Sequence, residues 1–220
     1  MTVSANLARV RERIAAAAER AGRSPDDVLL VVVSKTFPVE AISGALRAGV
    51  EVFGENRAQE LAAKARALGE DVRWHFIGHL QTNKVRHVVG VAELVHSVDR
   101  VSVAQAIAAR ANSHGIVQDV LVEVNVADDP SKHGIAPAGA PALLDAVGAL
   151  DGVRVRGVMT MPPWPDRPED SRPHYRALAQ LAASCGCELV SMGMSRDFEV
   201  AIEEGATIVR VGEAVFGRRS

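Results

Sequence analysis

Cysteine, tyrosine and long apolar stretches are scarce in this chain. The two cysteines, Cys185 and Cys187, stand one residue apart, too close for an ordinary bridge and without the C-x-x-C spacing of redox and zinc sites. Packed thiols near the start of a strand are expected there. No segment approaches the length of a bilayer span, and the first residues, M-T-V-S-A-N-L-A-R-V-R-E-R, lack an apolar core of the signal-peptide kind. A cytoplasmic protein is expected. The formal charge of −2 gives no basic field to favour nucleic acid or an anionic membrane.

Motifs are missing too. No G-x-G-x-x-G follows the first apolar run, which disfavours an open dinucleotide-binding sheet, and no G-x-S-x-G offers a nucleophile elbow. His75 and His79 would share a strand face, but four residues of strand separate them by about 13 Å, too far for one ion. No metal site is expected.

What is present is a rhythm. With 48% hydrophobic and 24% charged residues, the composition is that of a globular domain. Val3, Leu7, Val10, Ile14 and Ala18 recur at helical steps, predicting a helix from Ser4 to Ala21 that ends at Gly22. Thereafter a glycine, a short apolar run, a polar residue and an alanine-rich helical segment repeat eight times, the runs following Gly22, Gly49, Gly69, Gly90, Gly115, Gly152, Gly186 and Gly205. Strands alternating with helices require parallel pairing and right-handed crossovers. Eight units predict a closed (β/α)8 barrel in a single domain spanning 1–220, with residues 1–22 as an extra helix packed on it.

Reactive groups of such barrels gather at the carboxyl ends of the strands, here Lys35, Asn56, His79, Asp99, Asn125, Thr160, Ser195 and Gly212. Lys35 ends V-L-L-V-V-V-S-K-T-F-P, a doubly buried strand turned into a helix by Pro38. An amine held against apolar walls favours its neutral form, the one that condenses with a carbonyl; a lysine that simply extends into water is the alternative. G-M-S-R-D at Gly193–Asp197 and V-G-E-A-V-F-G after the last run would build an anion cup, with Ser195 capping a helix that runs to Glu204 and Gly212 admitting close backbone approach. Arg210 alternates with Ile208 and Gly212 and so faces the same side, unless it pairs with Glu123. The proline-rich M-P-P-W-P-D-R-P-E-D is either a lid or a surface loop, and Trp164 on it needs no role. Lys84 and Arg86 read as a solvated helix face.

V-S-K-T, F-G-E-N, H-F-I-G-H-L-Q-T-N-K, S-M-G-M-S-R-D and V-R-V-G, spread from about Val28 to Arg218, together resemble the pyridoxal phosphate homeostasis protein family. That family, once labelled proline synthetase co-transcribed proteins, shares its barrel with the N-terminal domain of alanine racemase. The resemblance implies pyridoxal 5′-phosphate held as an internal aldimine on Lys35, Asn56 beside the ring, Arg210 at the pyridine nitrogen, and Ser195 with the Gly212 backbone on the phosphate. His79 is counted with them. Glu213 stands where the family usually has threonine, so its amide is expected to serve while its side chain turns away.

The same resemblance implies a carrier that keeps the cofactor available to pyridoxal phosphate-dependent apoenzymes; a monomer or a weak dimer is expected. A two-base racemase needs a second proton-transfer group opposite the lysine, and the only tyrosine, Tyr175, falls in a helical segment poorly placed to supply it. A low-activity pyridoxal racemase using Lys35 as sole base is the alternative. A Schiff-base aldolase on a phosphorylated sugar, with Asp99, Glu55 or His79 as acid-base partner, is a more distant one. Lys84 and Lys132 are further amines that could take an aldehyde.

Overall fold

The computed structural model describes residues 2–217; Arg218, the last residue of the stretch whose motifs carry the resemblance, lies outside them. Helix α1 (Val3–Arg20) leads into strand β1 (Leu29–Val33), and β1 is followed by α2 (Val39–Arg47), β2 (Val52–Glu55), α3 (Ala58–Leu68), β3 (Arg73–Phe76), β4 (Leu94–Val98), α4 (Val101–Ser113) and β5 (Gln118–Glu123). Then come α5 (Ala140–Gly148), β6 (Val153–Met159), α6 (Arg172–Ser184), β7 (Leu189–Ser191), α7 (Phe198–Glu203), β8 (Ile208–Val211) and the single turn α8 (Glu213–Phe216). All eight predicted runs form strands, and they close in sequence order into a parallel barrel. Closure is made by β1 on β8, where Val31 stands beside Arg210.

Apolar side chains fill the barrel in two separate bodies. Val31, Val52, Leu94, Leu121, Met159 and Ile208 pack inside it, the inward half of the strand alternation. The outward half joins the helices in the larger core, with Phe53, Trp74 and Ile107 almost wholly enclosed. Helix α1 buries Leu7, Val10 and Ile14. Its polar side holds it in place: Arg13 makes a two-pronged bond to Glu199 at 3.0 and 2.7 Å, and the Asn6 amide donates to the Val215 carbonyl at 2.9 Å.

Three local readings are corrected. The first helix starts at Val3 and stops at Arg20, because Thr2 caps it through its hydroxyl. After β3 the chain makes only a 3-10 stretch, Thr82–His87, in which Val85 is the buried residue; a single apolar anchor cannot support an amphipathic α-helix. Ser195 does not cap α7, which begins at Phe198 behind Asp197. The Asp197 carboxylate accepts from the Met194 amide at 2.8 Å, closing a turn that takes up residues 194–197.

Candidate functional site

At the carboxyl end of the barrel a cavity of about 490 Å³ opens between the ends of β1, β6, β7 and β8. Lys35, Ser195, Arg210, Gly212 and Glu213 all line it, with apolar walls from Phe37, Met161 and Met194. An amine, a guanidinium and a hydroxyl thus converge on one open cleft of the size small-molecule sites have. Three of the predicted strand-end groups, Lys35, Ser195 and Gly212, are brought together in this way, with Arg210 beside them.

Lys35 is seated by residues that sequence reasoning missed. Lys64 of α3, itself buried, donates to the Ser34 carbonyl at 2.8 Å, to Glu55 at 2.6 Å and to Glu60 at 2.7 Å. Ser34 donates its hydroxyl to the same Glu55 oxygen at 2.7 Å. Glu60 accepts the Thr36 amide at 2.7 Å. Both neighbours of Lys35 are therefore fixed by one charged cluster, and Thr36 is held at φ 68°, a left-handed conformation costly for a β-branched residue. Burial raises the Glu55 carboxyl above its ordinary range, with Lys64 and Ser34 opposing. For Glu60 burial acts upward as well, but Lys64 and the Thr36 amide bring it below the ordinary range.

The loops after β7 and β8 meet at one side of the cavity. The Gly212 amide donates to the Ser195 hydroxyl at 3.3 Å, joining the two loops expected to form the cup. A Cβ on Gly212 would stand 3.0 Å from the Val33 carbonyl and 3.3 Å from the Val33 Cβ, so glycine lets β8 lie against the end of β1. Phe37 stacks on Phe216 at 4.4 Å between ring centroids, fastening the lysine's loop to α8. Glu213 is exposed.

Arg210 is buried beneath the cavity. Its guanidinium donates to the Ser191 hydroxyl and, at 2.8 Å, to the Thr160 carbonyl, so its direct bonds are not to Glu123. Ser191 meets His96 Nδ1 at 2.9 Å, and His96 Nε2 meets His75 Nδ1 at 3.0 Å. A polar chain thus runs down the barrel through an otherwise apolar interior. Burial lowers both imidazoles, His75 to about 3 and His96 well below its ordinary value. Burial also raises the Glu123 carboxyl to about 7, with Asp99 adding and Arg210 opposing.

Other predicted groups lie elsewhere. Asn56 and His79 do not line this cavity. Gly78 passes so close to Asn56 that a Cβ there would collide with the Asn56 backbone, and His79 turns toward Asp99, 3.5 Å away. Thr160 and Asn125 serve the fold: the Thr160 hydroxyl donates to the Val124 carbonyl at 2.7 Å, and the Asn125 amide to the Asp129 carbonyl at 2.8 Å. Lys132 is exposed on the loop after β5, and Lys84 sits in the 3-10 stretch. Tyr175 is enclosed in α6, and its phenol is raised by burial and by Asp197. Trp164, given no role from sequence, lines the cavity, with the Arg196 guanidinium 4.8 Å from its ring centre.

The architecture is that of the alanine racemase N-terminal domain class: the family so described matches residues 5–220. An alanine racemase of Clostridium difficile shares the fold at a TM-score of 0.75 and 16% identity, over 99% of this chain and 57% of that one. Within the class, a relative from Aquifex aeolicus named Pyridoxal phosphate homeostasis protein is 47% identical over 226 residues, covering 100% of this chain and 99% of its own. PipY of Synechococcus elongatus, solved with PLP bound, is 32% identical with a TM-score of 0.85, over 98% of this chain and 100% of that one. The chain belongs to the pyridoxal phosphate homeostasis protein family.

Proposed function

We propose that this protein binds pyridoxal 5′-phosphate, with Lys35 as the amine that captures the aldehyde, and manages the supply of that cofactor rather than turning over a substrate. The observation that carries the reading is one cavity lined by Lys35, by Arg210 and by the linked pair Ser195 and Gly212. These groups fit an aldehyde, a pyridine nitrogen and a phosphate. Bound there, the cofactor supplies an electrophilic aldehyde carbon to primary amines. Ser195 and the backbone at Gly212 and Glu213 orient the phosphate. Arg210, braced by Ser191 and Thr160, opposes protonation of the ring nitrogen and so weakens the ring as an electron sink.

One feature supports storage over turnover: Tyr175, the only tyrosine, is fully buried in α6, its phenol raised by burial and by Asp197, which leaves Glu213 as the carboxylate in the cavity lining. Recipients are pyridoxal phosphate-dependent apoenzymes in the cytoplasm, served by a monomer; among the described residues no helix is long and apolar enough to cross a membrane.

Loading purified protein and a Lys35→Ala variant with pyridoxal phosphate tests the reading by absorbance. The native chain gains a band that the variant lacks, and an equal band in both overturns the assignment. Deuterium exchange at Cα of a panel of amino acids, no faster than with free cofactor, is the result expected of a carrier.

A further inference from the structure

We propose that His79, Asp99 and His133 form a second site, for a divalent transition-metal ion of the zinc type, at the barrel mouth away from the Lys35 cavity. Each offers one donor atom, and the three lie within 4.8 Å of one another. Two imidazole nitrogens with one carboxylate oxygen are a donor set suited to zinc and its neighbours, with a coordination position left for water. The proposal is independent of the cofactor reading.

Three successive strand ends build the triad. His79 follows Gly78, which passes against Asn56 where no Cβ fits. Asp99 follows β4 directly. His133 is carried in by the loop after β5, which returns to the barrel through the Ile135 amide on the Glu123 carbonyl and the Asn125 amide on the Ile135 carbonyl, each at 2.9 Å. Gly134 permits that return: its φ is 112°, and a Cβ there would stand 2.7 Å from the Asn125 nitrogen.

A second observation points to a missing partner. His79 Nδ1 is buried and has no hydrogen bond, although Asp99 Oδ2 stands 3.5 Å from it. A buried ring nitrogen without a partner is costly. The other Asp99 oxygen is held by Arg100, an outer bond of the kind that orients a ligating carboxylate. The guanidinium's charge moderates affinity for a cation.

Donors around a tetrahedral zinc stand about 3.4 Å apart, so the triad must draw in slightly. The His79 and His133 rings are stacked, 3.8 Å between centroids and 14° from parallel. The ion is captured by turning the His133 ring, which sits on an exposed loop, until its nitrogen faces Asp99.

The test is titration of chelator-treated full-length protein with Zn²⁺ by calorimetry and with Co²⁺ by visible absorption, beside His133→Ala and His79→Gln. One ion per chain is expected, with the strong ligand-field bands of low-coordinate Co²⁺, affinity falling at least about tenfold in each variant, and the bands lost. Pyridoxal phosphate uptake by His133→Ala should be unchanged. Absence of binding to the native chain, or equal stoichiometry and affinity in native and His133→Ala protein, overturns the proposal, the latter by placing the ion on other surface histidines.

Discussion

Lys64 donates to the carbonyl oxygen of Ser34 over 2.8 Å, and through that bond helix α3 holds the residue that precedes Lys35. The same ammonium holds Glu55 and Glu60, and Glu60 holds Thr36. Lys35 is thereby placed by a second, buried lysine.

Removing that ammonium should destabilise the fold. Lys64→Met strands the enclosed Glu55 carboxylate, a loss of about 3 to 5 kcal/mol, measurable by urea unfolding. Joining it with Glu55→Gln should recover part of the loss, since the buried charge then has no cation to miss. A single-variant loss below about 1 kcal/mol would mean that the cluster does not hold the loop.

Ser195→Ala should separate phosphate recognition from aldehyde capture. A hydrogen bond to a charged group contributes about 1.5 to 3 kcal/mol, so affinity for pyridoxal phosphate should fall roughly 10- to 100-fold. Affinity for pyridoxal, which has no phosphate, should stay within about twofold. Equal losses for both ligands would remove Ser195 from the cup.

The strands were legible because each doubly buried run stands between a glycine and a polar end, as V-L-L-V-V-V-S-K does. That Lys35, Ser195, Arg210 and Gly212 face one cavity was legible because motif and strand alternation agree on the side they face. Lys64 was not, since an i,i+4 partner of Glu60 reads as an ordinary surface pair. The available signal was its place on the buried face, three residues after Leu61, which follows Ala58 by three. Trp164 with Arg196, and His79 with His133, are contacts between distant loops, and no local periodicity encodes them.

Acid should weaken the fold through the histidine pair. His75 is held at about 3 against an ordinary 6.5, and His96 is lowered as well. Depressed imidazoles leave the native state intact above pH 6.5 and cost stability as pH falls below it, because only the unfolded chain takes up the protons. The slope approaches about 1.4 kcal/mol per pH unit for each imidazole. Glu123 acts oppositely: held at about 7 against 4.5, it keeps its proton in the native state, so its contribution is full below 4.5 and is lost as pH rises through 7. Glu123→Gln should therefore be more stable at neutral pH and lose stability more steeply between pH 7 and 4.5. Unfolding at a series of pH values reads both signs.

Arg196→Ala removes the cation from the face of Trp164. An exposed contact of this kind contributes about 0.5 to 1 kcal/mol, so loaded protein should release pyridoxal phosphate to an amine scavenger about two- to fivefold faster. An unchanged release rate would make the proline-rich loop a bystander.

Borohydride reduction of the loaded protein, followed by peptide mass mapping, tests the central claim most directly. The account predicts one fixed pyridoxyl phosphate group, on the peptide that contains Lys35. An adduct spread over Lys84 and Lys132 with Lys35 unmodified would contradict it.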